Sequence, residues 1–281
     1  MNTQNPPNTA TAGATPDQPL LLLVENVTVR FAGVTALDGV SFAVRRGEIF
    51  AVIGPNGAGK TSLLNVLSRV YQPQSGSVTY DGRDLLRLRS HQMAAAGVAR
   101  TFQNLGQFPL TTVMDYLLLG RHAHMRSTVL LGGLYFGPTR AEERSNRAYC
   151  QHVLDLMNLA RFRDAPLGSL PFGVQKRVDL ARALAMQPRL LLLDEPVAGL
   201  GGEESRDLAA ILLDLKEQTG ITQVLIEHDM AMVTGIADRI LVLDFGRVIA
   251  EGSPAEIQAN PDVIRAYLGQ ELQNQQLETG Q

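Results

Sequence analysis

The chain has 281 residues, enough for one large core with a smaller satellite, and its 45% hydrophobic and 19% charged residues are ordinary for a globular protein. A balance of 25 Lys and Arg against 28 Asp and Glu gives a net charge of −3, which argues against general nucleic-acid binding. The single cysteine, Cys150, excludes an internal disulfide or a multi-cysteine zinc site. Residues 1–19, rich in Asn, Thr, Pro, Gln and Ala, have neither a basic start nor an apolar middle and read as a disordered extension, not a signal peptide. No apolar run reaches the roughly 18 residues of a membrane span, so work at a membrane would need other chains to cross it.

Leu22 to Phe31 and Ala36 to Val44 alternate as strands do on either side of an Ala32-Gly33 turn, and are expected to pair antiparallel. The apolar run Ile49 to Ile53 then leads into Gly54-Pro55-Asn56-Gly57-Ala58-Gly59-Lys60-Thr61, followed by the helical text Ser62 to Leu67. This is G-x-x-x-x-G-K-[ST] where a strand hands over to a helix, which is the context the motif requires. Glycines let the backbone curl so that successive N–H groups and the helix N-terminus surround a polyphosphate. Lys60 is expected to reach the β and γ phosphates and the Thr61 hydroxyl to ligate Mg²⁺.

Further on, Gly76 to Gly82 reads as a strand ending in an Asp-Gly turn, and Val98 to Gln103 as another strand. From there the pattern turns helical: Thr112 to Gly120 and Arg140 to Leu159 are amphipathic, and the basic residues between Arg121 and Arg144 read as a solvated face. Cys150 reads as a small side chain on that second helix. The α/β text resumes with a helix over Gly173 to Met186 and the strand Leu190 to Asp194. A helix from Glu203 to Thr219, closed by Gly220, precedes the strand Thr222 to Glu227. A short helix from Met230 to Ala237, a hairpin around Phe245-Gly246-Arg247 and short helices from Pro254 to Leu268 complete the chain, and the Gln-rich end from Gln270 reads as frayed.

Chemistry concentrates at strand ends. Asp194 and Glu195 close an apolar strand expected to lie beside the phosphate-loop strand, which puts both carboxylates at the nucleotide edge. Hydrolysis needs a metal against the phosphates and a group that deprotonates water; Asp194 suits the first task and Glu195 the second. In isolation such a pair also suits a helix N-cap. His228 follows the next strand and is expected to approach the γ-phosphate opposite Lys60. Gln103 can sense the same phosphate through Mg²⁺ or water without carrying charge. Phe31, at the end of the first strand, can stack on adenine, although an aromatic there is more often packing.

Taken together these residues resemble the ATP-binding subunits of ABC transporters, over roughly Leu20 to Gly269. Gly54 to Thr61, with Ser62, resembles Walker A, Gln103 the Q-loop glutamine and Leu190 to Glu195 Walker B with its catalytic glutamate. Ala198 to Gly201 resembles the D-loop and His228 the switch histidine. The resemblance implies a phosphate-loop, RecA-like α/β core with an antiparallel β subdomain and an inserted α-helical subdomain at about residues 104–172, flanked by the extension 1–19 and a flexible tail 270–281. It also implies ATP and Mg²⁺ as cofactors, with Thr61, Gln103 and Asp194 at the metal. Implied partners are a second ATPase subunit, identical or different, two transmembrane permeases and, indirectly, a periplasmic solute-binding protein. No nucleic acid is involved, and the site of work is the cytoplasmic face of a bacterial inner membrane.

The family signature, usually Leu-Ser-Gly-Gly-Gln, stands here as Leu170-Pro171-Phe172-Gly173-Val174. In the family it clasps the γ-phosphate of ATP held by the partner subunit. Pro171 offers neither hydroxyl nor N–H, so at least one contact is absent and the site it completes is expected to close less tightly. The aromatic-Gly signature, Arg100-Thr101-Phe102-Gln103, the long insertion and the ending Val263 to Gly269 resemble the branched-chain amino acid importers. Importers of urea, amides or aromatic acids and lipopolysaccharide exporters remain open, as does, from another class, a soluble ABC-type ATPase of DNA repair or translation. The groove beside Gln103, with Leu105, Phe108 and Leu110, is expected to receive a membrane-subunit helix.

Overall fold

The computed structural model describes residues 18–101, 108–121 and 138–267. Two sheets carry the fold. In the first, β1 (Leu20–Phe31), β2 (Val34–Arg45), β4 (Ser75–Tyr80) and β5 (Arg83–Asp84) form an antiparallel layer in the order β2-β1-β4-β5. The second is built from β3 (Ile49–Ile53), β6 (Val98–Arg100), β7 (Leu190–Asp194), β8 (Thr222–Ile226), β9 (Arg239–Asp244) and β10 (Arg247–Gly252), in the order β10-β9-β3-β8-β7-β6. All its pairings are parallel except the β9–β10 hairpin.

The central strands β3, β8 and β7 are buried at every position and mostly apolar because both faces of the six-stranded sheet are covered. Ile49, Ala51, Ile53, Leu191, Leu193 and Leu225 face a helical layer. It comprises α2 (Val113–Arg121), α3 (Pro138–Leu156), α4 (Phe172–Ala185), α5 (Gly202–Thr219) and α6 (Met230–Ile236). The alternate residues Phe50, Val52, Leu190, Leu192, Val224 and Ile226 face α1 (Lys60–Leu67) and the antiparallel sheet. Phe42 and Phe50 stack across that second interface at 5.2 Å between ring centroids. The chain ends on α7 (Pro254–Ala259), opened by a Ser253–Glu256 capping box, and a helix over 261–267.

Two expectations are corrected. The strand carrying Asp194 is not the neighbour of the phosphate-loop strand: β8 lies between β7 and β3, pairing Asp194 with Ile226 and Ile226 with Val52. Strand adjacency is decided by crossover packing, which local text does not encode. Since strands stand about 4.8 Å apart, Asp194 is about 10 Å from the loop strand, which leaves room for a phosphate and its ion. Arg121, read as part of a solvated face, is buried. Its guanidinium donates to Asn146 Oδ1 at 2.9 Å and to the Ala185 carbonyl at 3.0 Å, and lies 4.8 Å from the Tyr149 ring centroid, joining α2, α3 and α4. A helix-end arginine reads as solvent-facing unless its acceptors are seen. Cys150 is fully buried on α3, and burial pushes its thiol up to about 11, as suits packing.

Candidate active site

The phosphate loop, the acidic pair and His228 leave the six-stranded sheet at one edge. Val52, Ile226 and Asp194 are in register, so Gly54, Glu227 and Glu195 emerge together at the carboxyl ends of β3, β8 and β7, where α/β sheets bind ligands. The loop from Gly54 to Gly59 is shaped by close approach. A Cβ on Gly54 (φ 149°) would fall far inside contact with the Leu243 carbonyl, and one on Gly59 (φ 102°) with the Ala36 carbonyl. Gly57 (φ 80°) has open space around it and needs glycine only for its dihedral. Gly54→Ala is therefore expected to cost about 3 kcal/mol in urea unfolding, against about 1–2 kcal/mol for Gly57→Ala. Pro55 and Ala58 are buried, Asn56, Gly57 and Thr61 are exposed, and Ser62 is half-buried on α1.

Lys60, 7% exposed, folds back on its own loop, donating to the carbonyls of Gly54 at 2.6 Å and Pro55 at 2.9 Å. Burial lowers its pKa below the ordinary lysine value, and the charge of nearby Glu195 opposes that shift. Asp194 is buried at the end of β7. One carboxylate oxygen accepts from Arg100 at 2.8 Å, and the other is buried with no partner among the described residues. Arg100 also donates to Asn65 Oδ1 at 2.7 Å and Ser68 Oγ at 2.9 Å, tying the acidic strand to α1. Glu195 sits at φ 45°, a left-handed conformation that a non-glycine residue keeps only where its surroundings impose it. Its N–H donates to the Ile226 carbonyl at 2.9 Å, and its carbonyl accepts from Lys176 Nζ at 3.3 Å.

His228 is exposed beyond β8, with Nδ1 3.7 Å from the carboxylate of Glu227. Phe31 is 42% exposed at the end of β1, its ring edge-on to Tyr71 at 4.9 Å. Of the signature residues, Leu170, Gly173 and Val174 are buried, while Pro171 and Phe172 are exposed. Pro171 is the N-cap of α4 and has no N–H to offer, so the free amides at this helix start belong to Phe172, Gly173 and Val174. Phe172 lies against Gly199, and the Glu204 carboxylate crowds Gly173, so the signature packs on the segment that follows its own acidic pair. Gln103 and Leu105 lie outside the described residues; Phe108 and Leu110 are 42% and 90% exposed.

Sequence reasoning missed Arg100, Lys176 and Glu227. Arg100 entered only as part of the stretch Arg100 to Gln103, without a role of its own, and a basic residue closing a strand was the available signal. Lys176 and Glu227 gave none, because a lysine on a helix and an acid after a strand usually face solvent.

The ABC transporter family model matches residues 37–198, and the model for the branched-chain amino acid ATP-binding cassette transporter matches residues 247–272. Over 251 residues the chain is 42% identical to the high-affinity branched-chain amino acid transport ATP-binding protein BraF of Pseudomonas aeruginosa, covering 89% of this chain and 98% of that one. It is 40% identical over 253 residues to the corresponding LivG protein of Escherichia coli, again covering 89% and 98%. The ADP conformation of MJ1267, an ATP-binding cassette of an ABC transporter, superposes with a TM-score of 0.79 at 30% identity, over 89% of this chain and 99% of that one. The dimeric structure of MJ0796, a bacterial ABC transporter cassette, gives a TM-score of 0.70 at 26% identity, over 83% and 99%. On the phosphate loop, the acidic strand end and these matches together, the chain belongs to the ABC transporter family, as an ATP-hydrolysing cassette of the kind that powers transport.

Proposed function

We propose that this chain is the ATPase subunit of a bacterial importer for branched-chain or other hydrophobic amino acids, working at the cytoplasmic face of the inner membrane. The solute class rests on the stretch 247–272, where the branched-chain family model matches, and the names of BraF and LivG support it. Among the described residues no helix is long and apolar enough to cross a membrane, so two permease subunits would supply the pathway and a periplasmic binding protein the solute. The exposed Phe108 and Leu110 are the surface we assign to permease docking. We take residues 20–269 as the ATPase domain, with its helical lobe at about 104–172.

In this reading the backbone from Gly54 through Thr61 to Ser62 cradles the phosphates, with N–H groups from every residue but Pro55, Lys60 neutralises the β and γ groups, and Phe31 stacks on the adenine. The unpartnered buried oxygen of Asp194 is the kind of acceptor that a hydrated cation satisfies. Among the described residues no three His, Cys, Asp or Glu side chains cluster as a cage, which suits an ion that takes one or two carboxylates plus phosphate. Thr61, Asp194 and Gln103 would hold Mg²⁺, which neutralises charge on the β and γ phosphates. Glu195 takes the proton of the attacking water and His228 steadies the γ-phosphate. The dimeric MJ0796 cassette supports a second subunit; its signature would complete each site, and Pro171 leaves that clasp one N–H short.

The test is reconstitution of the chain with its permeases and binding protein in vesicles. ATP-dependent uptake of labelled leucine, competed by isoleucine and valine, is expected. Uptake of urea, an amide or an aromatic acid in place of leucine would overturn the solute assignment and leave the ATPase assignment standing.

A further inference from the structure

Glu227 is a fully buried acid at this edge of the sheet that the mechanism above leaves unused. It is 0% exposed, and burial pushes its carboxyl above the usual carboxylate range. Among the described residues no lysine or arginine forms an ion pair with it; its hydrogen-bond partners are backbone amides, and the His228 imidazole stands 3.7 Å away. One oxygen accepts from the Val197 N–H at 2.9 Å and the other from the His228 N–H at 3.1 Å, with the Asp229 amide also directed at it. An apolar residue of the same size would avoid the desolvation cost, so the carboxylate has to be understood through what it joins.

It joins two turns. Val197 lies in the turn that follows Glu195, closed by the Ala198 N–H donating to the Glu195 carbonyl at 3.2 Å. His228 opens the turn after β8. The main chain of Glu227 itself donates to the Val52 carbonyl, next to the phosphate loop, at 3.4 Å. Glu195 needs outside support for its φ of 45°, and the carboxylate of Glu227 braces the turn it opens. The two N–H donors meet different oxygens of this side chain, and an amide offers an acceptor at only one of those two positions.

We propose that Glu227 is a positioning residue for hydrolysis: its buried carboxylate ties the turn after Glu195 to the backbone of His228, so that the water-activating carboxylate and the γ-phosphate histidine are set as one unit. This rests on the roles given to Glu195 and His228 above. Glu227→Gln keeps the shape but turns one acceptor into a donor facing an N–H, and Glu227→Asp is one methylene too short to reach both turns.

The full-length chain and its Glu227→Gln, Glu227→Asp, Glu195→Gln and Glu195→Gln/Glu227→Gln variants would be compared by single-turnover ATP hydrolysis, affinity for a fluorescent ATP analogue and thermal midpoint. Both Glu227 variants are expected to lower the hydrolysis rate about 10- to 100-fold with analogue affinity within about 2-fold of wild type, and Glu227→Gln is expected to add less than about 2-fold to Glu195→Gln. Unchanged hydrolysis in Glu227→Gln, affinity falling in step with rate, or losses that multiply with those of Glu195→Gln would each overturn the proposal. Should Glu227→Gln fold poorly, Glu227→Asp decides on the same readouts. Wild-type hydrolysis by Glu195→Gln would overturn the mechanism beneath it, a result distinct from all of these.

Discussion

Replacing Glu195 with glutamine is expected to leave ATP bound and lower its hydrolysis by about 100- to 1000-fold, the range over which a positioned general base acts. The substitution preserves size and the left-handed turn, and the N–H bond to the Ile226 carbonyl and the Lys176 bond to its own carbonyl belong to the backbone. Only the proton acceptor is lost. Affinity is expected to stay level or rise slightly, because the carboxylate that faces Lys60 no longer adds negative charge beside a polyphosphate. Steady-state phosphate release alongside equilibrium nucleotide binding separates the two quantities. A variant that lost affinity and rate together would place Glu195 in binding and leave the base unidentified.

Lys60→Ala is expected to act on the other quantity, weakening ATP about 100-fold, which corresponds to about 3 kcal/mol for a desolvated, charge-assisted contact. Lys60 already sits on the carbonyls of Gly54 and Pro55, so its loss also frees two acceptors that hold the loop curled. The pH dependence follows from the direction of its shift. Phosphate binds the protonated amine, and burial lowers the pH at which that proton leaves, so wild-type affinity falls at the alkaline end sooner than an exposed lysine would allow. The nucleotide-free fold behaves oppositely: its unfolded chain binds the extra proton, so stability gains as pH rises through the same window. Binding measured from about pH 7 to about pH 10 should slope for wild type and stay flat for Lys60→Arg, whose charge does not titrate there.

The strands and helices were legible because their cues are local. The run Ile49 to Ile53 before a glycine-rich loop, the Gly220 stop after α5 and the Asp81-Gly82 turn each state their own conformation. What text could not convey was company. Nothing near residue 226 announces that β8 separates Asp194 from the phosphate loop, and nothing around Arg121 announces acceptors 25 and 64 positions away. The same holds for the site. Lys60, Asp194 and Glu195 belong to motifs whose spacing carries meaning, whereas Glu227 matters through a hydrogen bond to a residue 30 positions upstream. Its acidity reads as solvent exposure until burial is known.

The order of strands also governs when this protein can be completed on the ribosome. β3 pairs on one side with β8 and on the other with β9, both more than 160 residues downstream of it. A nascent chain that has exposed its phosphate loop therefore carries an apolar five-residue strand with both edges open until residues 222–244 emerge. Synthesis stalled before that point would leave an aggregation-prone intermediate, and rapid translation or chaperone cover through the final third would determine how much protein reaches its native state.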